Sequence, residues 1–89
     1  MELNTRIDMK VRIQLERIEI IHRLIDQRRT GRPEELARRL GLSVSRLARI
    51  IEYLRAEGAP IAYDRSLQTY FYTHRFEIDV SLRFQRKDK

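Results

Sequence analysis

Residues 33–51 read PEELARRLGLSVSRLARII, and their pattern predicts two short helices joined by a tight turn. The stretch opens with proline, which is favoured at the first position of a helix, and with two glutamates that suit the positive end of the helix dipole. Gly41 can adopt the positive φ that often ends a helix, and Ser43 is a good amino-terminal cap. We therefore predict one helix over about 33–40 and another over about 44–56.

The apolar residues of this stretch have the spacing of a helix-turn-helix. Leu36 and Leu40 are expected to face the core, and Ala37 is small where the following helix must pass close. Four apolar residues are expected to anchor that following helix, namely Leu42, Leu47, Ile50 and Ile51. An ordinary helical hairpin is the alternative, but a small residue, a glycine turn and apolar anchors at this spacing favour the helix-turn-helix.

Upstream, the chain shows two periodicities at once. The odd-numbered residues from Met1 to Leu15 are apolar except Thr5, which is typical of a strand. Apolar residues also follow helical spacing, at Leu3, Ile7, Val11, Leu15, Ile18, Ile21 and Ile25. We interpret residues 1–13 as a strand or a helical extension. We place the change from strand to helix near residues 9–14. A helix from residue 2 to 28 would be about 40 Å long, longer than we expect the domain to be wide.

Downstream, the pattern changes to that of a small β-structure. Two short runs at 61–63 and 69–72 flank a polar segment and predict a β-hairpin. Alternation of apolar and polar residues from Phe76 to Phe84 predicts a further strand, and 85–89 form a polar tail.

These elements predict a single domain over residues 1–89. Its fold class is mainly α with a small antiparallel β-sheet (α+β): a winged helix-turn-helix with three helices, a β-hairpin wing and extended terminal strands. The winged helix itself covers residues 14–72, and residues 73–89 form the carboxyl-terminal strand and basic tail.

The charge balance favours a polyanionic partner. The 19 Lys and Arg residues against 13 Asp and Glu give a net charge of +6, and 16 of the 19 are arginine. The guanidinium fork suits phosphates and guanine edges. A basic domain without such a partner is the alternative.

Several function classes have no support in the sequence. The absence of cysteine excludes disulfide frameworks, zinc knuckles and thiol catalysis, and fits a reducing compartment. His22 and His74 lack companions at ligand spacing, and three glycines make no phosphate loop. We expect no enzyme activity, no metal or cofactor and no small-molecule substrate. No apolar run is long enough to cross a membrane and no signal peptide is evident, so we expect no membrane association and a cytoplasmic protein.

The second helix of a helix-turn-helix reads the DNA major groove, mainly with its amino-terminal residues. If Leu47, Ile51 and Leu54 face the core, the 100° step per residue puts Ser45, Arg49 and Glu52 opposite them. The candidate DNA-binding residues of this helix are Ser43, Val44, Ser45, Arg46 and Arg49. Candidate phosphate or minor-groove contacts are Arg32, Arg38, Arg65 and Gln68. A solvated arginine face is the alternative.

Several segments together resemble a known family. They are LERI at 15–18, PEELARRLGLS at 33–43, Arg49, IEYLR at 51–55, GAPI at 58–61, YDR at 63–65 and TYFY at 69–72. They are similar to the winged-helix domains of DeoR-type and related bacterial transcriptional regulators. The resemblance covers about 15–72 and implies sequence-specific binding of double-stranded DNA by a small regulator. Three positions depart from it: Arg32 replaces a Thr or Ser cap, Val44 a basic residue and Ile50 a charged one.

The departures keep other functions open. A winged helix used as a protein-interaction or dimerisation module is favoured by Val44, Ile50 and a second apolar stripe on the first helix, Ile13, Ile20 and Leu24. Binding of single strands on the aromatic residues at 63 and 70–72 is a further alternative to simple hairpin packing. We also expect a homodimer, in which residues 3–9 pair as an antiparallel strand with 76–84 and the second stripe is covered.

Overall fold

The computed structural model describes the backbone of residues 3–78 and the side chains of residues 14–78. Three helices, α1 (Leu3–Asp26), α2 (Pro33–Leu40) and α3 (Val44–Ala56), precede two strands, β1 (Ile61–Asp64) and β2 (Thr69–Tyr72). The strands pair antiparallel, with Ile61 opposite Tyr72 and Asp64 opposite Thr69. The predicted fold class is confirmed: a mainly helical α+β domain with the layout of a winged helix.

The amino-terminal segment is helical, so the strand alternative for residues 3–9 is wrong. The expected change of structure near residues 9–14 does not occur either, because α1 runs without interruption from Leu3 to Asp26. Residues 3–26 contain neither glycine nor proline, and extending an existing helix is much easier than starting one. At 1.5 Å per residue α1 is about 36 Å long.

The strand predicted from Phe76 does not begin there. The described part of it, Phe76–Ile78, forms no strand, and the remainder of the predicted strand and tail lies outside the described residues. Phe76 packs on the Tyr72 ring with centroids 5.3 Å apart, and Phe76 and Ile78 pack against the core. The apolar alternation at these residues therefore reflects packing against the helices and not pairing in a sheet.

The core lies between α1, α2, α3 and the hairpin. Its ten members, all at most 8% exposed, are Ile21, Ile25, Leu36, Ala37, Leu47, Ile51, Leu54, Ala59, Ile61 and Tyr72. Leu40, Ile50 and Leu24 pack around its edge. Of the apolar residues predicted for the helix-turn-helix, Leu36, Leu47 and Ile51 are therefore confirmed in the core, and Leu40 and Ile50 pack against it. Leu42 is half-buried and is not part of this cluster.

Each of the three helices ends in a left-handed residue that reverses the chain. Gly41 follows α2 at φ +70°, where its N–H donates to the Arg38 carbonyl and the Leu42 N–H reaches back to Ala37. This confirms the predicted role of Gly41 in the turn. After α1 the equivalent position is Arg28, at φ +56°, a conformation in which residues with a Cβ are uncommon.

Candidate nucleic-acid interface

The amino end of α3 is held by a side-chain cap. The Ser43 hydroxyl accepts a hydrogen bond from the Arg46 N–H at 3.1 Å, and the Ser43 carbonyl accepts one from the Leu47 N–H at 3.0 Å. The neighbouring Val44 is 47% exposed. The cap occupies an acceptor site of the Ser43 oxygen but leaves the hydroxyl proton available to a phosphate.

The two faces of α3 separate as the helical period predicts. Leu47, Ile51 and Leu54 are buried, with at most 5% of their surface exposed. The exposed face presents Ser45, Arg46, Ala48, Arg49 and Glu52. Among the described side chains, no carboxylate lies within 4 Å of the guanidinium groups of Arg46 and Arg49. Within the described part of the chain, these two arginines therefore have no ion-pair partner to displace before they bind an anion.

The one acidic residue of that face is already paired. A Glu52 carboxylate oxygen lies 2.5 Å from an Arg55 terminal nitrogen, and the Arg55 Nε donates to the Ile61 carbonyl at 3.1 Å. Arg55 thus offsets the negative charge on the exposed face and joins α3 to β1. Sequence reasoning did not identify this role, because the acceptor is a backbone carbonyl of another element.

Ile50 packs at the edge of the core and is only partly exposed. This explains an apolar residue where the DeoR-type pattern leads us to expect a charged one, and Ile50 offers little surface to a partner.

Around α2 the candidate arginines are exposed and separate. Arg32 is the amino cap of the helix, but a guanidinium has no acceptor, so its side chain makes no cap hydrogen bond, as expected. Its N–H instead donates to a Glu35 carboxylate oxygen at 2.9 Å. Arg38 lies in the last turn of α2, about 9 Å further along the helix axis.

The tip of the hairpin, which we call the wing tip, comprises Arg65–Gln68. One Asp64 carboxylate oxygen accepts hydrogen bonds from the Leu67 N–H, the Ser66 hydroxyl and the Ser66 N–H at 2.8–3.0 Å. The bonds from Leu67 and Ser66 lower the pKa of Asp64 below its ordinary value. Arg65 and Gln68 are exposed, and Gln68 adopts a positive φ of 54°. Both wing candidates are therefore accessible on an ordered turn.

The hairpin is fixed to the loop between α1 and α2. Both Thr30 and Thr69 are buried; the Thr30 N–H donates to the Thr69 hydroxyl at 3.1 Å and the Tyr70 N–H donates to the Thr30 hydroxyl at 2.8 Å. Beside them, the Arg28 guanidinium lies 4.8 Å from the centre of the Phe71 ring, within the range of a cation–π contact.

The aromatic residues of the hairpin pack on other groups. Tyr63 and Tyr70 meet edge to face with ring centroids 5.0 Å apart, and Tyr72 lies beside His22, whose Nδ1 is 2.7 Å from the Tyr72 hydroxyl. Burial raises the pKa of Tyr70 and raises that of Tyr72 to about 12. These contacts support hairpin packing over an open stacking platform.

The histidines and carboxylates of the described residues do not gather into a metal site. Among them, no group of three metal-ligating side chains comes together, and the His74 Nδ1 lies 3.1 Å from the neighbouring Thr73 hydroxyl. No helix in this part of the chain is long and apolar enough to cross a membrane.

Comparison with known proteins adds no relative, because no protein-family model, curated protein or solved structure matches this chain.

Proposed function

We propose that this protein is a bacterial cytoplasmic regulator that binds double-stranded DNA in a sequence-specific manner and places α3 in the major groove. The observation that supports this most is the pair Arg46 and Arg49. Both are exposed, Arg49 on the face of α3 opposite its buried anchors and Arg46 at the flank of that face, and neither has an ion-pair partner among the described residues. No catalysis is part of the proposal.

Within this proposal, the arginines read bases and their neighbours assist. Arg46 and Arg49 each present a guanidinium fork that matches the O6 and N7 acceptors of guanine, worth about 1–3 kcal/mol of discrimination. Ser45 can bond either base edges or phosphate, and the exposed Val44 can contact a thymine methyl.

The remaining candidates position the protein on the backbone. The Ser43 hydroxyl, Arg32 and Arg38 contact phosphates, which orient the domain without reading sequence. Arg65 and Gln68 at the wing tip contact phosphate or the minor groove. The Thr30–Thr69 pair and Arg55 act as positioning residues, because they hold the hairpin and α3 to the rest of the domain.

The structure supports the protein-interaction alternative less than the sequence does. It depends on Val44, Ile50 and the stripe Ile13, Ile20 and Leu24. Of these, Ile50 and Leu24 pack against the core, whereas Val44 and Ile20 are 47% and 42% exposed. The side chain of Ile13 lies outside the described residues. Two isolated apolar side chains are normal on a protein surface.

Selection of bound duplexes from a random DNA pool tests the proposal. We expect enrichment of a motif that contains guanine, and a steep loss of affinity for it between about 50 and 200 mM salt. Single-stranded competitors should be weaker than the selected duplex. Failure to enrich any duplex, or an affinity that does not change with salt, would favour the protein-interaction module instead.

A further inference from the structure

An apolar groove lies at the carboxyl end of α3, where it meets α1. Its volume is about 310 Å³, and three parts of the chain form its walls: Leu15 and Ile18 of α1, Tyr53 and Leu54 of α3, and Phe76 and Ile78. This volume corresponds to about ten water molecules at roughly 30 Å³ each. An apolar occupant would displace this water, and the removal of apolar surface from water would favour its binding. Along the helix axis, Leu54 is about 12 Å from Arg46 and about 8 Å from Arg49.

The charged side chains that line this groove are acidic. Glu57 and Glu77 both line it and both are exposed, and among the described side chains neither forms an ion pair. In a chain with a net charge of +6, two carboxylates beside an apolar groove select an occupant that is both apolar and basic.

The sequence itself contains such a segment. Residues 79–89 read DVSLRFQRKDK, with apolar residues at alternate positions 80, 82 and 84, followed or flanked by Arg83, Arg86 and Lys87. We infer that the groove of one protomer binds residues 80–87 of a second copy of this chain.

A second copy fits better than the same chain folding back. Phe76 and Ile78 already form a wall of the groove, and the alternation that they begin continues to Phe84 without a glycine or proline. This pattern is typical of an extended segment, which would leave the groove that it borders. In a two-fold dimer the exchange is reciprocal, so each protomer fills the groove of its partner. This replaces the expected strand pairing of residues 3–9, which the helical α1 rules out.

A charge exchange tests the inference independently of DNA. One full-length variant reverses the groove (Glu57→Lys, Glu77→Lys) and the other reverses the segment (Arg83→Glu, Arg86→Glu). By sedimentation equilibrium at about 100 μM protein, the parent should be a dimer, because association follows protomer concentration. Each variant alone should dissociate at least about tenfold more readily at about 50 mM salt, where charge effects are least screened.

An equimolar mixture of the two variants should dimerise again. In the mixed pair, a lysine-lined groove meets a glutamate segment and a glutamate-lined groove meets an arginine segment. The double exchange Glu19→Arg with Arg23→Glu on α1 is the matched control, since it reverses an exposed ion pair away from the groove and should leave the parent dimer unchanged. Circular dichroism melting verifies that each variant folds.

A monomeric parent, variants that dimerise like the parent, or a mixture that stays monomeric would each overturn the inference. If a variant fails to fold, a synthetic peptide of residues 79–89 added to the parent replaces it. The peptide should dissociate the dimer, whereas the same peptide with glutamate at positions 83 and 86 should not. A peptide without effect would also overturn the inference.

Discussion

The hydroxyl oxygens of Thr30 and Thr69 lie 3.1 Å apart, and both residues are buried, with at most 2% of their surface exposed. Each hydroxyl has one proton and a carbonyl within 2.9 Å, at Gly31 and Tyr70 respectively. If both protons go to these carbonyls, the contact between the two oxygens contains no hydrogen bond. The backbone N–H groups of Thr30 and Tyr70, each of which donates to the opposite hydroxyl, then hold the hairpin to the helices.

We expect Thr30→Val to destabilise the protein by about 1–3 kcal/mol, because it leaves the part-buried Tyr70 N–H without its acceptor. Thr30→Ser is the control, since it keeps the hydroxyl and loses only a methyl group. Urea denaturation measures the stability of both variants, of Thr69→Val and of the double variant Thr30→Val with Thr69→Val. The stabilities of the parent and of the three valine variants give the coupling energy between the two threonines. Equal stability of the valine and serine variants would show that the hydroxyl is not needed.

Arg28 combines an unfavourable backbone conformation with a favourable side-chain contact. At φ +56°, Arg28→Gly relieves a strain of roughly 1 kcal/mol but removes a ring contact worth about 0.5–1 kcal/mol. We therefore expect Arg28→Gly to change stability little. Arg28→Ala, which loses the contact and keeps the strain, should be about 1 kcal/mol less stable than the glycine variant. Chemical denaturation compares the two, and equal stabilities would show that the left-handed conformation costs nothing here.

Much of this architecture could be predicted from local sequence. The bounds of α2 and α3 follow from Pro33, Gly41 and Ser43, whose effects are confined to one turn. The faces of α3 follow from its period. The start of α1 could not be predicted, because residues 1–15 fit both a strand and a helix. The part of α1 that packs in the core at Ile21 and Ile25 favours the helix, since an existing helix is easily extended.

The positioning contacts of the candidate site were missed for a different reason. Arg55 to Ile61, Thr30 to Thr69 and Arg28 to Phe71 all join separate elements. No periodicity in the sequence marks such pairs. In the sequence, Thr30 stands in a polar loop and looks like an exposed loop residue; only the structure shows that it is buried.

The hydrogen bonds accepted by Asp64 predict a pH dependence of stability. Its pKa is lower in the folded protein than its ordinary value of 3.8. The stabilisation is therefore fully present above pH 3.8 and is lost as pH falls through the folded-state pKa. Urea midpoints of the parent and of Asp64→Asn, measured from pH 7 downward, should differ by a constant amount until about pH 4 and then converge. A difference independent of pH would contradict this role of the carboxylate.

Finally, we expect Arg46→Ala and Arg49→Ala each to weaken binding to a selected duplex by about 1–3 kcal/mol and to relax preference at one base position. Both guanidinium groups are free of ion pairs among the described residues, and both arginines are exposed while Leu47 and Ile51 are buried. Arg23→Ala is the matched control, because it removes the same charge from an exposed, paired position on α1. That variant should lose only nonspecific affinity, equally for all duplexes. Titration of each variant against the selected duplex and its single-base variants separates the two effects. If both α3 variants keep the affinity and base preference of the parent, α3 does not read the DNA.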